Sequence, residues 1–224
     1  EYDFEQAKKI VLEMFYGFSK DMGQLAQSMF DHNHIHSEVQ DNKRRGAFCY
    51  SVTPKIKPFV MLNYAGRVQD VSTLAHELGH AIHAMVASHH SIWTFHSALP
   101  LAETASIFSE LLLAKHQLKT ASAEEKRSIL MQHLDHSYAA INRQAYFVMF
   151  EKEAHKLQAE GATLDDLDRV YLKGLKEQFE PALDVPSMFK NEWLTIPHIY
   201  HVPFYCYAYA FGNLLVLSLF KMYE

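Results

Sequence analysis

The sequence predicts a mainly α-helical domain that carries a small β-sheet, and three observations lead to this fold class. Apolar side chains recur with a helical period over residues 3–30, which predicts a helix or a helical pair. Two short runs rich in aromatic and aliphatic residues, 46–51 and 59–64, predict strands. After Asp70, helical patterns fill most of the chain. No internal repeat or low-complexity tract divides the sequence, so one compact unit is expected.

Local signals place the elements of the N-terminal part. Gly17 and Gly23 mark possible interruptions of the first helical segment. The His-rich run at 31–36 is polar and is expected to be a solvated loop. Pro54 and Pro58 separate the two strands and exclude a helix between them.

Helix start and stop signals place the remaining elements. Asp70 or Ser72 is the expected cap of the first helix, Pro100 opens the second and Gly161 ends the third. The apolar stretch 207–220 is about 14 residues long and carries polar side chains, so it predicts a buried helix and excludes a membrane span. The predicted helices are 71–87, 101–119, 122–160, 165–179 and 203–223.

Composition and charge restrict the class of protein. The chain has 224 residues, 49% of them hydrophobic and 21% charged, which suffices for a globular core. The formal charge is −5 and the longest basic cluster is residues 43–45, so neither nucleic acid nor a membrane is an expected partner. Cys49 and Cys206 match no metal or redox spacing and indicate reduced thiols, which predicts a cytoplasmic protein. Fifteen histidines point to metal or acid–base chemistry.

The sequence HELGH at positions 76–80 predicts a metal-binding helix. Positions i and i+4 of a helix lie about 40° apart, so His76 and His80 can reach one zinc ion at about 2.0–2.1 Å. Glu77 lies next to that face, where it can accept a proton from water as a general base. Apolar residues on the adjoining face, Leu74, Leu78 and Ile82, indicate that this helix is packed into the domain.

A catalytic zinc ion usually takes three protein ligands and leaves one position open. Glu103 lies early in an otherwise apolar helical segment and demands a cation, so we predict it as the third ligand. Glu110 lies seven residues later on the same side and is predicted to orient a zinc-bound imidazole through its other ring nitrogen. His83 is about 10.5 Å along the helix from His76, too far for both to bind one ion, and is expected to pack near the site.

Residues 74–83, followed by 103–106 and Glu110, resemble the oligoendopeptidase F and thimet oligopeptidase family of zinc metallopeptidases. Segments 43–49, 59–64 and 196–209 are also similar to segments near the cleft of such enzymes. The resemblance implies a gluzincin-like, thimet oligopeptidase-like helical domain over residues 1–224, with one zinc ion per chain and short peptides as substrates. Family members are much longer, which implies that the N-terminal half of the enzyme is a missing partner of this domain.

The resemblance also implies that the segment 196–209 holds substrate and stabilises the transition state. An imidazole or phenol beside a metal can donate a hydrogen bond to the developing oxyanion. His198 and Tyr205 are the predicted residues for this role, whereas Tyr200, His201 and Tyr209 are weaker candidates. His198 and His201 are expected in a proline-bounded loop, and Tyr205 and Tyr209 one turn apart in the last helix.

The predicted function is a zinc-dependent endopeptidase that hydrolyses internal bonds of short peptides, with Glu77 as the general base. One alternative is a zinc aminopeptidase, which needs an anchor for the free amine; no exopeptidase motif precedes His76. Another alternative is an inactive zinc-binding fragment. The intact Glu77 argues against an evolved pseudo-enzyme, and chelator-sensitive turnover would exclude an inactive fragment.

Overall fold

The computed structural model describes the backbone of residues 1–224 and every side chain except that of Leu99. It confirms a mainly helical fold with a small β-sheet. Two compact units are formed, the first from Glu1–Leu134 with Gly212–Glu224 and the second from Asp135–Phe211. The single catalytic domain over 1–224 stays a prediction. The α-helices are α1 (Phe4–Phe18), α2 (Lys20–Asp31), α3 (Val68–Val86), α4 (Leu99–Ala102), α5 (Thr104–Thr120), α6 (Ala123–Tyr138), α7 (Gln144–Ala159), α8 (Leu164–Phe179), α9 (Pro197–His201) and α10 (Tyr207–Tyr223).

The first predicted helical segment is a pair, α1 and α2, but the break lies at Ser19 rather than at a glycine. Ser19 is extended, with its own N–H bonded to the carbonyl of Phe15 and its hydroxyl accepting from the N–H of Met22 at 3.5 Å. One residue thus ends α1 and caps α2. The apolar faces of both helices, including Val11 and Phe15, are buried in the core of the first unit.

The sheet has three strands in the order β1-β3-β2: β1 is Ile35–His36, β2 is Phe48–Tyr50 and β3 is Phe59–Met61. β3 pairs in parallel with β1 and antiparallel with β2. β2 and β3 confirm the two predicted strands. β1 corrects the expected loop at 31–36, because two residues of the run find a tertiary partner that no local pattern announces.

The helices α3 and α5 pack against each other and form the centre of the first unit. α3 begins at Val68, before both predicted caps. Asp70 instead caps from the third helical position, with Oδ2 accepting the N–H groups of Ala65 at 2.9 Å and Arg67 at 3.0 Å. The single helix predicted over 101–119 is two helices, α4 and α5, with Glu103 at the junction.

The core of the second unit lies between α7 and α8 and a 3₁₀ segment, Ser187–Thr195. The long helix predicted over 122–160 is interrupted by a π-helical segment, Ala139–Arg143. Asp168 is buried in α8 and accepts hydrogen bonds from the indole of Trp193 at 2.9 Å and the amide of Asn191 at 2.8 Å. These bonds tie the 3₁₀ segment to α8.

The last predicted helix, 203–223, begins only at Tyr207. His198 lies in the short helix α9 rather than in a loop, and Tyr205 lies between α9 and α10, outside any helix. The reason is Phe204, whose φ of +61° is incompatible with a right-handed helix. The stretch predicted to be buried is amphipathic, with Val216 buried and Leu214 exposed.

No helix among the described residues combines the length and the hydrophobicity that crossing a bilayer requires.

Candidate metal centre

The structure brings the three predicted metal ligands together. Nε2 of His76 and Nε2 of His80 each lie 3.4 Å from Oε2 of Glu103, and the two nitrogens lie 3.2 Å apart. The histidines project from α3, whereas Glu103 occupies the junction of α4 and α5. Among the described residues, these three form the group that could hold a metal ion, and His83 is not part of it.

The spacing of these atoms suits a tetrahedral ion. Two ligands at about 2.0–2.1 Å from such an ion lie about 3.3 Å apart, close to the three distances observed. Nδ1 of His76 lies 2.5 Å from Oε1 of Glu110. When Nδ1 carries the ring proton and donates a hydrogen bond to Glu110, the lone pair of Nε2 points at the other two ligands. The donor set therefore fits zinc, and Glu110 takes the orienting position predicted for it.

The pKa values of His76 and Glu103 are shifted by the hydrogen bonds between the imidazoles and the carboxylates of the centre. Burial lowers the pKa of His76, but hydrogen bonds to Glu103 and Glu110 outweigh it and raise the pKa to about 10. Burial acts to raise the pKa of Glu103, yet the bonds with His76 and His80 hold it far below its usual value. The site thus concentrates negative charge where a cation would bind.

Glu77 has an unsatisfied oxygen at this site. The residue is 6% exposed, and its Oε2 is buried with no hydrogen-bond partner. Burial raises the pKa of its carboxyl group, and this rise is opposed by the neighbouring His76 and His80 and by the backbone of Cys49 in β2. A buried acceptor left open beside a metal-binding group suits a proton-accepting role toward water. Sequence reasoning missed the backbone contact from Cys49, for which no side-chain signal exists.

Ser106 is a further residue that sequence reasoning missed. Its hydroxyl is fully buried and donates to Oε2 of Glu103 at 3.0 Å, with the carbonyl of Glu103 2.9 Å away. A small hydroxyl three residues after a buried carboxylate is the signal that could have identified it. Ser72 similarly donates to Oε2 of Glu110, at 3.4 Å. Both serines orient carboxylates of the centre.

Gly79 sets the distance between the two helices that carry the centre. A Cβ atom at this position would lie 2.6 Å from the carbonyl oxygen of Ala105 and 2.7 Å from Cα of Ser106. Both neighbours are backbone atoms of α5 and cannot rotate away. The glycine within the HELGH motif is therefore required for close approach of α3 and α5.

We expect Gly79→Ala to destabilise the chain by about 1–3 kcal/mol through overpacking. The matched control is Gly17→Ala in α1, where an added Cβ meets nothing within 4 Å. That change should stabilise the chain by up to about 1 kcal/mol, because alanine has the higher helix propensity. Urea unfolding of both variants provides the measurement. Equal shifts of the two unfolding free energies would contradict the close-approach argument.

The other predicted site residues lie in the second unit. His198 and Tyr205 are stacked with ring centroids 5.9 Å apart, and Nε2 of His198 lies 3.1 Å from the hydroxyl of Tyr209. Tyr205 and Tyr209 meet edge to face at 5.3 Å. The structure thus groups His198 and Tyr205 with Tyr209, which sequence reasoning ranked lower. Tyr200 instead stacks on Trp193, at 6.4 Å. A role of these side chains toward substrate stays a prediction.

Several curated proteins similar to this chain are named oligoendopeptidase F or its homolog. "Oligoendopeptidase F, chromosomal" of Lactococcus lactis subsp. cremoris is 30% identical over 216 residues, which cover 95% of this chain and 36% of that protein. The oligoendopeptidase F homolog of Borreliella burgdorferi is 34% identical over 184 residues, 80% of this chain and 31% of the relative. The chain therefore spans about a third of the length of these relatives.

Solved structures show the same fold. A candidate peptidase from Chlamydophila abortus aligns with a TM-score of 0.76 and 29% identity, over 98% of this chain and 38% of its own. PZ peptidase A aligns with a TM-score of 0.82 and 19% identity over 99% of this chain and 40% of its own, which shows the fold alone. The helical fold implied by the resemblance is confirmed. The model of peptidase family M3 matches residues 19–223, nearly the whole chain, and the chain belongs to this family.

Proposed function

We propose that this chain is the catalytic part of a zinc-dependent endopeptidase that cleaves internal bonds of short peptides. The observation that carries the proposal is the convergence of His76, His80 and Glu103 beside the unsatisfied Oε2 of Glu77. Relatives named oligoendopeptidase F support peptides as the substrate class. These relatives are about three times as long, so we propose that a segment corresponding to their N-terminal part completes the enzyme.

His76, His80 and Glu103 would hold the zinc ion. When bound there, zinc supplies a Lewis acid that polarises the scissile carbonyl and lowers the pKa of water. Glu110 holds the imidazole of His76 at Nδ1, and Ser106 holds the carboxylate of Glu103. These bonds keep the ligand atoms in place without reorganisation during the reaction.

Glu77 acts as the proton carrier. Its Oε2 accepts a proton as water attacks the peptide carbonyl, and it then delivers that proton to the leaving amine. The backbone of Cys49 lies beside the carboxylate, and Oε2 is open for this transfer. His198 and Tyr205 donate hydrogen bonds to the oxyanion that forms on the peptide carbonyl.

A turnover assay tests the proposal. We expect the chain to cleave an internally quenched peptide, a chelator to abolish the cleavage, and one equivalent of zinc to restore it, because Glu77 alone is a weak activator of water. Mass spectrometry of the products should show cleavage at internal bonds. Stepwise release of N-terminal residues would identify an aminopeptidase instead, and cleavage insensitive to chelator would exclude the zinc mechanism.

A further inference from the structure

A deeply buried carboxylate in the second unit has no part in the chemistry described so far. Glu151 in α7 is only 2% exposed. Its Oε1 accepts a hydrogen bond from the backbone N–H of Phe204 at 2.8 Å, 53 positions along the chain. Burying a carboxylate is costly, so the position of Glu151 in the interior needs a reason.

The backbone of Phe204, which donates this hydrogen bond, has an unfavourable conformation. Its φ of +61° lies in the left-handed region, which is strained for a residue other than glycine. Its side chain is half exposed and offers little burial in return. The ring does contact His155, with centroids 5.0 Å apart, and His155 lies one turn after Glu151 in α7. The helix α7 thus holds Phe204 both at its backbone and at its ring.

The conformation of Phe204 decides where the next side chain goes. Tyr205 follows directly, and its ring contacts both His198 and Tyr209, with centroid distances of 5.9 Å and 5.3 Å. Cys206 then returns the chain to the interior, where it is 1% exposed. Burial raises the pKa of its thiol to about 11, and the nearby charge of Glu151 adds to that rise. Glu151 therefore lies close to the chain on both sides of Tyr205.

We propose that Glu151 is a positioning residue of the peptidase, which fixes the backbone of Phe204 and thereby holds Tyr205 against His198 and Tyr209. The inference rests on the proposed function, in which Tyr205 donates to the oxyanion. Glu151 itself touches neither substrate nor metal in this role. The essential atom is the acceptor oxygen that Phe204 contacts.

The test compares four variants by the kcat and KM of peptide cleavage. Glu151→Leu removes the acceptor, and we expect kcat to fall about 10–100-fold with KM nearly unchanged. Glu151→Gln retains an acceptor oxygen and should restore kcat to within about threefold of the parent. Tyr205→Phe should lower kcat by about 100-fold, the typical loss for one oxyanion donor. The double variant Glu151→Leu/Tyr205→Phe should be no slower than the slower single variant, because both changes remove the same contact.

A matched control and a second measurement keep the test independent of folding defects. Glu153→Leu removes a carboxylate from the same helix, partly exposed and paired with Lys156, and should leave kcat unchanged. Hydrogen exchange of Glu151→Leu should be faster at residues 202–206 and unchanged in α3. This measurement needs no activity.

Several results would overturn the proposal. These are multiplicative losses in the double variant, an equal loss for Glu151→Gln and Glu151→Leu, an effect on KM alone, or faster exchange throughout the second unit. Full activity of Tyr205→Phe would do the same. Failure of the proposed zinc mechanism shows separately, because peptide cleavage would then be insensitive to chelator.

Discussion

Replacing Glu77 with Gln is expected to lower kcat/KM for peptide cleavage by about 10²–10⁴-fold while one zinc ion per chain is retained. Gln preserves the shape of the side chain and one of its two oxygens. It cannot accept a proton, so the transfer from water to the leaving amine is lost. The three proposed metal ligands are untouched, which separates catalysis from zinc binding.

Zinc content by elemental analysis and turnover of a quenched peptide together measure this effect. The control Glu13→Gln changes a half-exposed carboxylate of α1 that pairs only loosely with Lys9 and should alter neither quantity. Retention of most activity in Glu77→Gln would refute the general-base role. Loss of zinc together with activity would mean that Glu77 belongs to the coordination shell.

Replacing Glu103 with Ala is expected to weaken zinc binding by more than about 100-fold. The change removes one of the three proposed ligands and leaves Nε2 of His76 and of His80 as the remaining protein donors. It also removes the negative charge of a residue that is only 9% exposed and whose carboxylate faces both imidazoles. A residue that only orients a ligand typically costs about 10–100-fold in affinity when lost.

Glu110→Gln provides the comparison, because Glu110 contacts His76 only at Nδ1, away from the ligand atoms. Titration against a chelating dye should place its zinc affinity between those of the parent chain and Glu103→Ala. If Glu110→Gln binds zinc more weakly than Glu103→Ala, then Glu110 is the third ligand and Glu103 is not. Unchanged zinc affinity in Glu103→Ala would move the third ligand elsewhere.

Parts of the fold were predictable because they depend on local periodicity. The helical pair, the strands at 46–51 and 59–64, and the helix that carries His76 and His80 all follow from spacing along a few turns. Boundaries were less predictable. A polar side chain such as Asp70 can cap a helix from more than one position, and the strand β1 exists only because β3 lies beside it.

The same division holds within the candidate site. The sequence alone determined that His76 and His80 share a helix face with Glu77 beside it, because positions i and i+4 coincide on any α-helix. It also marked Glu103 as a carboxylate out of place in an apolar segment. Tertiary structure decided which groups complete the centre: Ser106 on Glu103, the backbone of Cys49 beside Glu77, and the close approach of α5.

The second unit gives the reverse case. The His/Tyr-rich segment was visible in the sequence, but helical spacing placed Tyr205 in the last helix, where it does not lie. Nothing local signals a left-handed Phe204, since its conformation is held by Glu151 from 53 positions away. Periodicity reports only neighbours within a few turns, whereas a strained backbone and a buried partner exist only once distant segments have packed.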